Sequence, residues 1–64
     1  PMRNPGKLVK HEDGREGIVY DSEQRQEYHD EGKVIVRFFE NNRELSKQKR
    51  KVKYERLKII GFVD

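Results

Sequence analysis

The segment Lys33–Phe39, KVIVRFF, constrains this chain more than any other. Val34, Val36 and Phe38 fall on one side of the alternation, and Ile35, Arg37 and Phe39 on the other. That two-residue period belongs to a strand rather than a helix. The arginine implies water on the second face, so Val34, Val36 and Phe38 are the expected core residues. Shorter bursts repeat the pattern: Leu8 and Val9 after Gly6, then Ile18, Val19 and Tyr20 after Gly17, which reads as a bend or bulge. A last strand runs through Ile59, Ile60 and Phe62, expected to point inward with Val34, Val36 and Phe38. Asp13-Gly14 and Glu40–Asn42 mark turns, the second because asparagine tolerates left-handed backbone.

Between these bursts the chain is polar. Asp21–Gly32, DSEQRQEYHDEG, reads as a loop or a long hairpin tip. Leu45–Tyr54 has no apolar stripe at helical spacing, so a loop from Arg43 to Arg50 is expected to enter a strand near Lys51. A helical turn at Tyr54–Leu57 then precedes the last strand. The expected fold class is therefore all-β: a small barrel of four to five short antiparallel strands with one helical turn before the last strand. Residues 6–64 form its single domain, after a disordered tail at residues 1–5. Closing the sheet would remove edges that so small a chain cannot cover.

Size limits what such a barrel can do. Of the 64 residues, 31% are hydrophobic and 42% charged, which supports one modest core. A chain this short buries only about 60% of its unfolded surface, leaving little room for a deep ligand chamber. With no cysteine, disulfides, thiolate metal sites and cysteine nucleophiles are excluded. No segment approaches the roughly 20 apolar residues of a membrane span, and no apolar run follows the N-terminus as in a signal peptide. A soluble, cytoplasmic monomer without a cofactor is expected.

Four segments, GKLV, GREGIVY, GKVIVRF and ERLKIIGFVD, resemble the SH3-like barrels, particularly the KOW- and Tudor-like members. The resemblance covers about Gly6 to Asp64 and implies the barrel fold. It also implies a binding role, since KOW-like barrels often touch RNA and SH3-like barrels bind peptides beside their long early loop. GKVIVRFFENN followed by YERL is similar to the end of the small photosystem I reaction-centre subunit IV, itself an SH3-like barrel, and implies fold alone. GREGIVYDSEQ and LKIIGFVD are similar to short uncharacterised bacterial or phage proteins, which supply no activity.

Charge divides along the chain. From His11 to Glu31 eight acids stand against two bases, and from Arg43 to Lys58 eight bases against two acids. Either the two halves meet in the fold or one of them faces a partner. Catalysis is not expected, because Ser22 and Ser46 lie in charged stretches without a nucleophile elbow. His11 and His29, in HED and YHDE, lack the ligand spacing of a metal site, so no metal is expected. KRKVK is similar to a nuclear import signal, but short basic clusters match such patterns by chance. The leading expectation is a non-catalytic module that contacts RNA or DNA. Lys47, Lys49, Arg50, Lys51 and Lys53 would neutralise phosphates and Tyr54 would stack on a base. The alternative is a protein–protein adaptor using the acidic loop 21–32 and the barrel groove, through Glu23, Glu27, Tyr28, Asp30 and Glu31. Proline-motif recognition is not expected of a chain without tryptophan.

Overall fold

A computed structural model of the chain describes residues 5–63. Five antiparallel strands form one sheet: β1 (Gly6–His11), β2 (Glu16–Tyr20), β3 (Lys33–Phe38), β4 (Arg50–Lys53) and β5 (Leu57–Val63). Their order is β4-β3-β2-β1-β5. The expected tail at residues 1–4 lies outside the described residues, whereas Pro5 belongs to the fold, its carbonyl accepting the Asp21 N–H at 3.2 Å.

The sheet has to curl. Laid flat, strands about 4.8 Å apart would hold β4 and β5 some 19 Å from each other. Yet Lys53 ends β4 and Leu57 begins β5, a span the chain covers in about 14 Å at most. A single 3-10 turn, Tyr54–Arg56, makes the connection in place of the longer Tyr54–Leu57 turn. The Tyr54 N–H donates to the Gly32 carbonyl at 2.9 Å, and the Glu12 N–H to the Arg56 carbonyl at 2.9 Å, so both ends of the turn are pinned. Closure is nevertheless partial. Among the described residues β4 pairs with β3 alone and β5 with β1 alone, so two edges remain where full closure is expected.

Val34, Val36 and Phe38 are buried as their alternation requires, and they meet Val9 of β1 and Val19 of β2. Val52 and Leu57 pack against this cluster from β4 and β5. The closing run does not join it: Ile59, Ile60 and Phe62 are 39%, 43% and 78% exposed. The register explains this correction. Leu8 opposes Gly61 and Val9 opposes Ile59, which leaves Ile60 as an extra residue in a bulge. The insertion takes Ile60 out of the pairing, whereas Ile59 and Phe62, opposite Val9 and Lys7, keep the parity of the core face and are exposed by their place on the edge strand. An edge strand also has no further neighbour to cover side chains that project past the sheet. Leu57 closes the core instead.

Gly17 is neither a bend nor a bulge. It sits buried inside β2 where β3 approaches so closely that a Cβ would lie 2.5 Å from the Arg37 carbonyl oxygen. The Glu40–Asn42 turn forms, but the left-handed residue is Arg43 (φ 65°) rather than an asparagine. Asn42 supports the turn with its side chain, Oδ1 accepting the Glu44 N–H at 3.0 Å.

Residues 21–32 fold instead of forming an open loop. A 3-10 turn, Asp21–Glu23, leads to the short helix α1, Gln26–Asp30, which ends at Gly32 in left-handed backbone (φ 72°). Ile35, expected on a wet face, is buried, as is Ile18. Gln24 ties the excursion to the backbone of Ile35. β2 and β3 ladder only through Gly17–Phe38 and Ile18–Arg37, and beyond those pairs they part. Into the gap Gln24 inserts its amide: Oε1 accepts the Ile35 N–H at 2.9 Å, while Nε2 donates to the Ile35 and Tyr20 carbonyls at 3.1 and 2.8 Å. One side chain thus replaces a missing stretch of strand ladder.

Candidate functional site

The acidic and basic halves of the sequence meet. Glu23, with a side chain 11% exposed, receives the Arg37 guanidinium: Nε lies 3.0 and 2.8 Å from its two carboxylate oxygens, and Nη2 also donates to Oε2. Lys49 Nζ lies 3.8 Å from the same carboxylate, and Arg37 Nη1 reaches the Lys47 carbonyl at 3.4 Å. Glu31 pairs with Lys33 at 3.5 Å and Lys51 at 3.7 Å, and the Lys51 ammonium stands 4.5 Å above the Tyr28 ring. Lys7 pairs with Asp21 at 3.7 Å, and Arg56 with Glu12.

These contacts sort the expected site residues. Within the basic run, Lys49 and Lys51 are drawn toward carboxylates. The side chains of Lys47, Arg50 and Lys53 are exposed and enter no ion pair among the described residues. Tyr54 is 48% exposed. Within the acidic stretch, Glu23 and Glu31 are paired internally and Tyr28 lies half-buried under Lys51. Glu27 and Asp30 remain exposed, Asp30 accepting a hydrogen bond from Gln26 at 2.9 Å.

Arg37's hydrogen bonds hold the Glu23 carboxyl below the usual glutamate range, outweighing the opposing effect of burial. A carboxyl depressed in the fold stabilises it above the unfolded pKa, and that contribution disappears as pH falls through the folded value. Stability should therefore decline on acidification below about pH 4.5. Thermal melts should show a shallower acid limb for Glu23→Gln than for the wild type. Equal pH dependence in the two would disprove the pairing. Asp13 behaves similarly on the surface, its hydrogen bonds from Arg15 lowering its pKa to about 2.

A cleft of about 370 Å³ opens between the 3-10 turn and the 21–32 excursion, more room than so small a core leads one to expect. Val9, Val19, Val34 and Leu57 line it below; Tyr54 and Ile59 stand among its lining, with Lys7, Lys33 and His29. Small interior valines and the exposure of Ile60 and Phe62 account for the unfilled space. Beside it lies an electrostatic oddity. Lys33 of β3 directly opposes Lys53 of β4, and like charges so placed repel. Glu31 compensates Lys33, while Lys53 has no carboxylate partner among the described residues.

Reading the sequence alone misses Lys7, Lys33 and His29 as members of this region. Lys7 shares strand parity with Val9 and was legible in principle; Lys33 opens β3, and His29 arrives through folding of the 21–32 excursion. Among the described residues no group of three or more His, Asp and Glu side chains is arranged to hold a metal. Ser46 builds a turn, its Oγ accepting the Gln48 N–H at 3.1 Å. No helix among the described residues is long and apolar enough to cross a membrane. In comparisons with known proteins, no family model, no curated sequence and no solved structure matches the chain.

Proposed function

We propose that this protein binds single-stranded nucleic acid, stacking one base on Tyr54 at the cleft and holding neighbouring phosphates on Lys53, Arg50 and Lys47. The observation that carries the reading is the placement of Tyr54. Its half-exposed ring borders an apolar cleft and follows Lys53, a cation with no carboxylate partner among the described residues. A stacking face beside unneutralised charge suits unpaired bases, because every base has a π-face and every linkage a phosphate. The β4 edge adds Arg50 and Lys53 on an exposed strand. The resemblance to KOW-like barrels points the same way. The adaptor reading is weaker, because Glu23, Tyr28 and Glu31 already hold partners within the chain.

Fluorescence anisotropy with labelled 12-nucleotide RNA and DNA tests the proposal. Single strands should bind more tightly than duplexes. The log–log salt slope should be roughly −2 for about three phosphate contacts. Tyr54→Ala should weaken binding by about 5- to 100-fold with little change in that slope. Lys53→Ala should reduce the slope by about 0.7, whereas Lys49→Ala, which removes a cation already facing Glu23, should change it less. Absence of binding at low salt rejects the proposal.

A further inference from the structure

We infer that the cleft beside Tyr54 selects pyrimidines, and thymine before the others, by taking the C5–C6 edge of the base against its apolar floor. The selectivity rests on the nucleic-acid reading and belongs to the same site. The parity of β5 is the first observation behind it. Ile59 opposes Val9 and so keeps the core face of the sheet, yet it is 39% exposed. An isoleucine on that face which water still reaches must front an opening, and Ile59 lines the cleft with Val9, Val19, Val34 and Leu57. At about 370 Å³ the cleft lies near the small end of ligand pockets, which suits a single base.

The second observation is that polar groups around this floor already have partners. The Gln24 amide is spent on the Ile35 and Tyr20 backbone, and the Gly32 carbonyl accepts the Tyr54 N–H. Lys7 and Lys33 face Asp21 and Glu31. Among the described residues no buried side-chain nitrogen or oxygen lacks a hydrogen-bond partner. A base edge bearing donors or acceptors would lose its water on this floor and gain no bond in exchange. Purines present such groups on every edge, N7 with O6 or N6 on one side and N3 on another. A pyrimidine has a C5–C6 edge free of nitrogen and oxygen, and thymine adds a methyl group to it. With that edge inward and the ring against Tyr54, O2, N3 and O4 keep their water. The phosphates then lie toward Lys53, whose charge no carboxylate neutralises among the described residues, so the mouth suits an anionic chain and the floor a neutral, apolar edge.

Fluorescence anisotropy of the full chain with labelled single-base DNA oligomers at low salt reads the selectivity. Oligothymidylate should bind about four-fold more tightly than oligodeoxyuridylate, which lacks only the methyl that the floor would cover. The 5-methylcytosine oligomer should exceed the cytosine oligomer by the same factor, and all four should exceed oligodeoxyadenylate. Ile59→Ser, at a half-exposed position, should bring the thymine-to-uracil ratio close to one, with circular dichroism checking its fold. On the wild type, nuclear Overhauser contacts should join the thymine methyl to the methyls of Val34 and Leu57, so the test does not depend on that variant. Equal affinity with and without the methyl, adenine bound as tightly as the pyrimidines, an unchanged ratio in folded Ile59→Ser, or no methyl contact would each overturn the selectivity and leave nucleic-acid binding standing. Failure of every oligomer to bind would overturn both.

Discussion

Gly17→Ala is expected to lower stability by about 3 kcal/mol, a large fraction of what a domain of this size has. The added Cβ would stand 2.5 Å from the Arg37 carbonyl oxygen and 2.9 Å from a Val36 methyl, and the first of these neighbours is backbone that cannot turn aside. Relief requires β2 and β3 to separate. Those strands join through only two ladder pairs, one of them made by Gly17 itself, together with the Phe39 N–H donating to the Glu16 carbonyl at 2.9 Å. The junction holds the two halves of the sheet together, so local separation should propagate through the barrel. Urea denaturation followed by circular dichroism measures the effect. Gly61→Ala is the control, since its Cβ would meet Leu8 at ordinary contact distances of 3.5 and 3.6 Å. It should change stability by less than about 1 kcal/mol. Equal midpoints for the two variants would contradict the close approach at Gly17.

The second large effect is expected at Gln24. Gln24→Ala should cost about 2–3 kcal/mol, because the backbone N–H and C=O of buried Ile35 would lose their partner at a place where β2 cannot reach them. Gln24→Glu separates donor from acceptor. Its carboxylate could still accept from the Ile35 N–H, but it would set negative charge against the Ile35 and Tyr20 carbonyls that the amide now serves as donor. At pH 7 this variant should be destabilised at least as much as Gln24→Ala. Near pH 4 protonation restores one donor, so the gap between Gln24→Glu and wild type should narrow while that for Gln24→Ala does not. Parallel pH profiles for the two variants would exclude the strand-mimicking role.

How far the fold was legible depends on how local the signal is. The alternation at Val34, Val36 and Phe38 survives folding unchanged, because a strand presents every second residue to the same neighbour. The turn at Asp13-Gly14 and the short helical turn before β5 are also local, fixed by backbone preferences within a few residues. Ile35 and Ile60 show where that logic stops. Ile35 shares a face with Arg37 and reads as half-wet, yet it is buried, and Gln24, eleven residues away, holds its backbone N–H and carbonyl. Ile60 reads as core by composition, yet a bulge created by pairing with a strand fifty residues earlier displaces it. The candidate site divides in the same way. The basic run and Tyr54 are visible as a string, but the string does not tell that Lys49 and Lys51 face Glu23 and Glu31 while Lys53 faces Lys33.

By itself, then, the sequence determined that this is an all-β chain, which segments are strands, and which face of β3 meets the core, since alternation and turn chemistry act between residues close in the chain. Tertiary structure alone decided which charges neutralise one another, that Gln24 completes the ladder, and that the end of β5 faces water. Those outcomes depend on register and on contacts between distant segments, and a one-residue shift in pairing reverses the facing of a side chain without altering its local pattern.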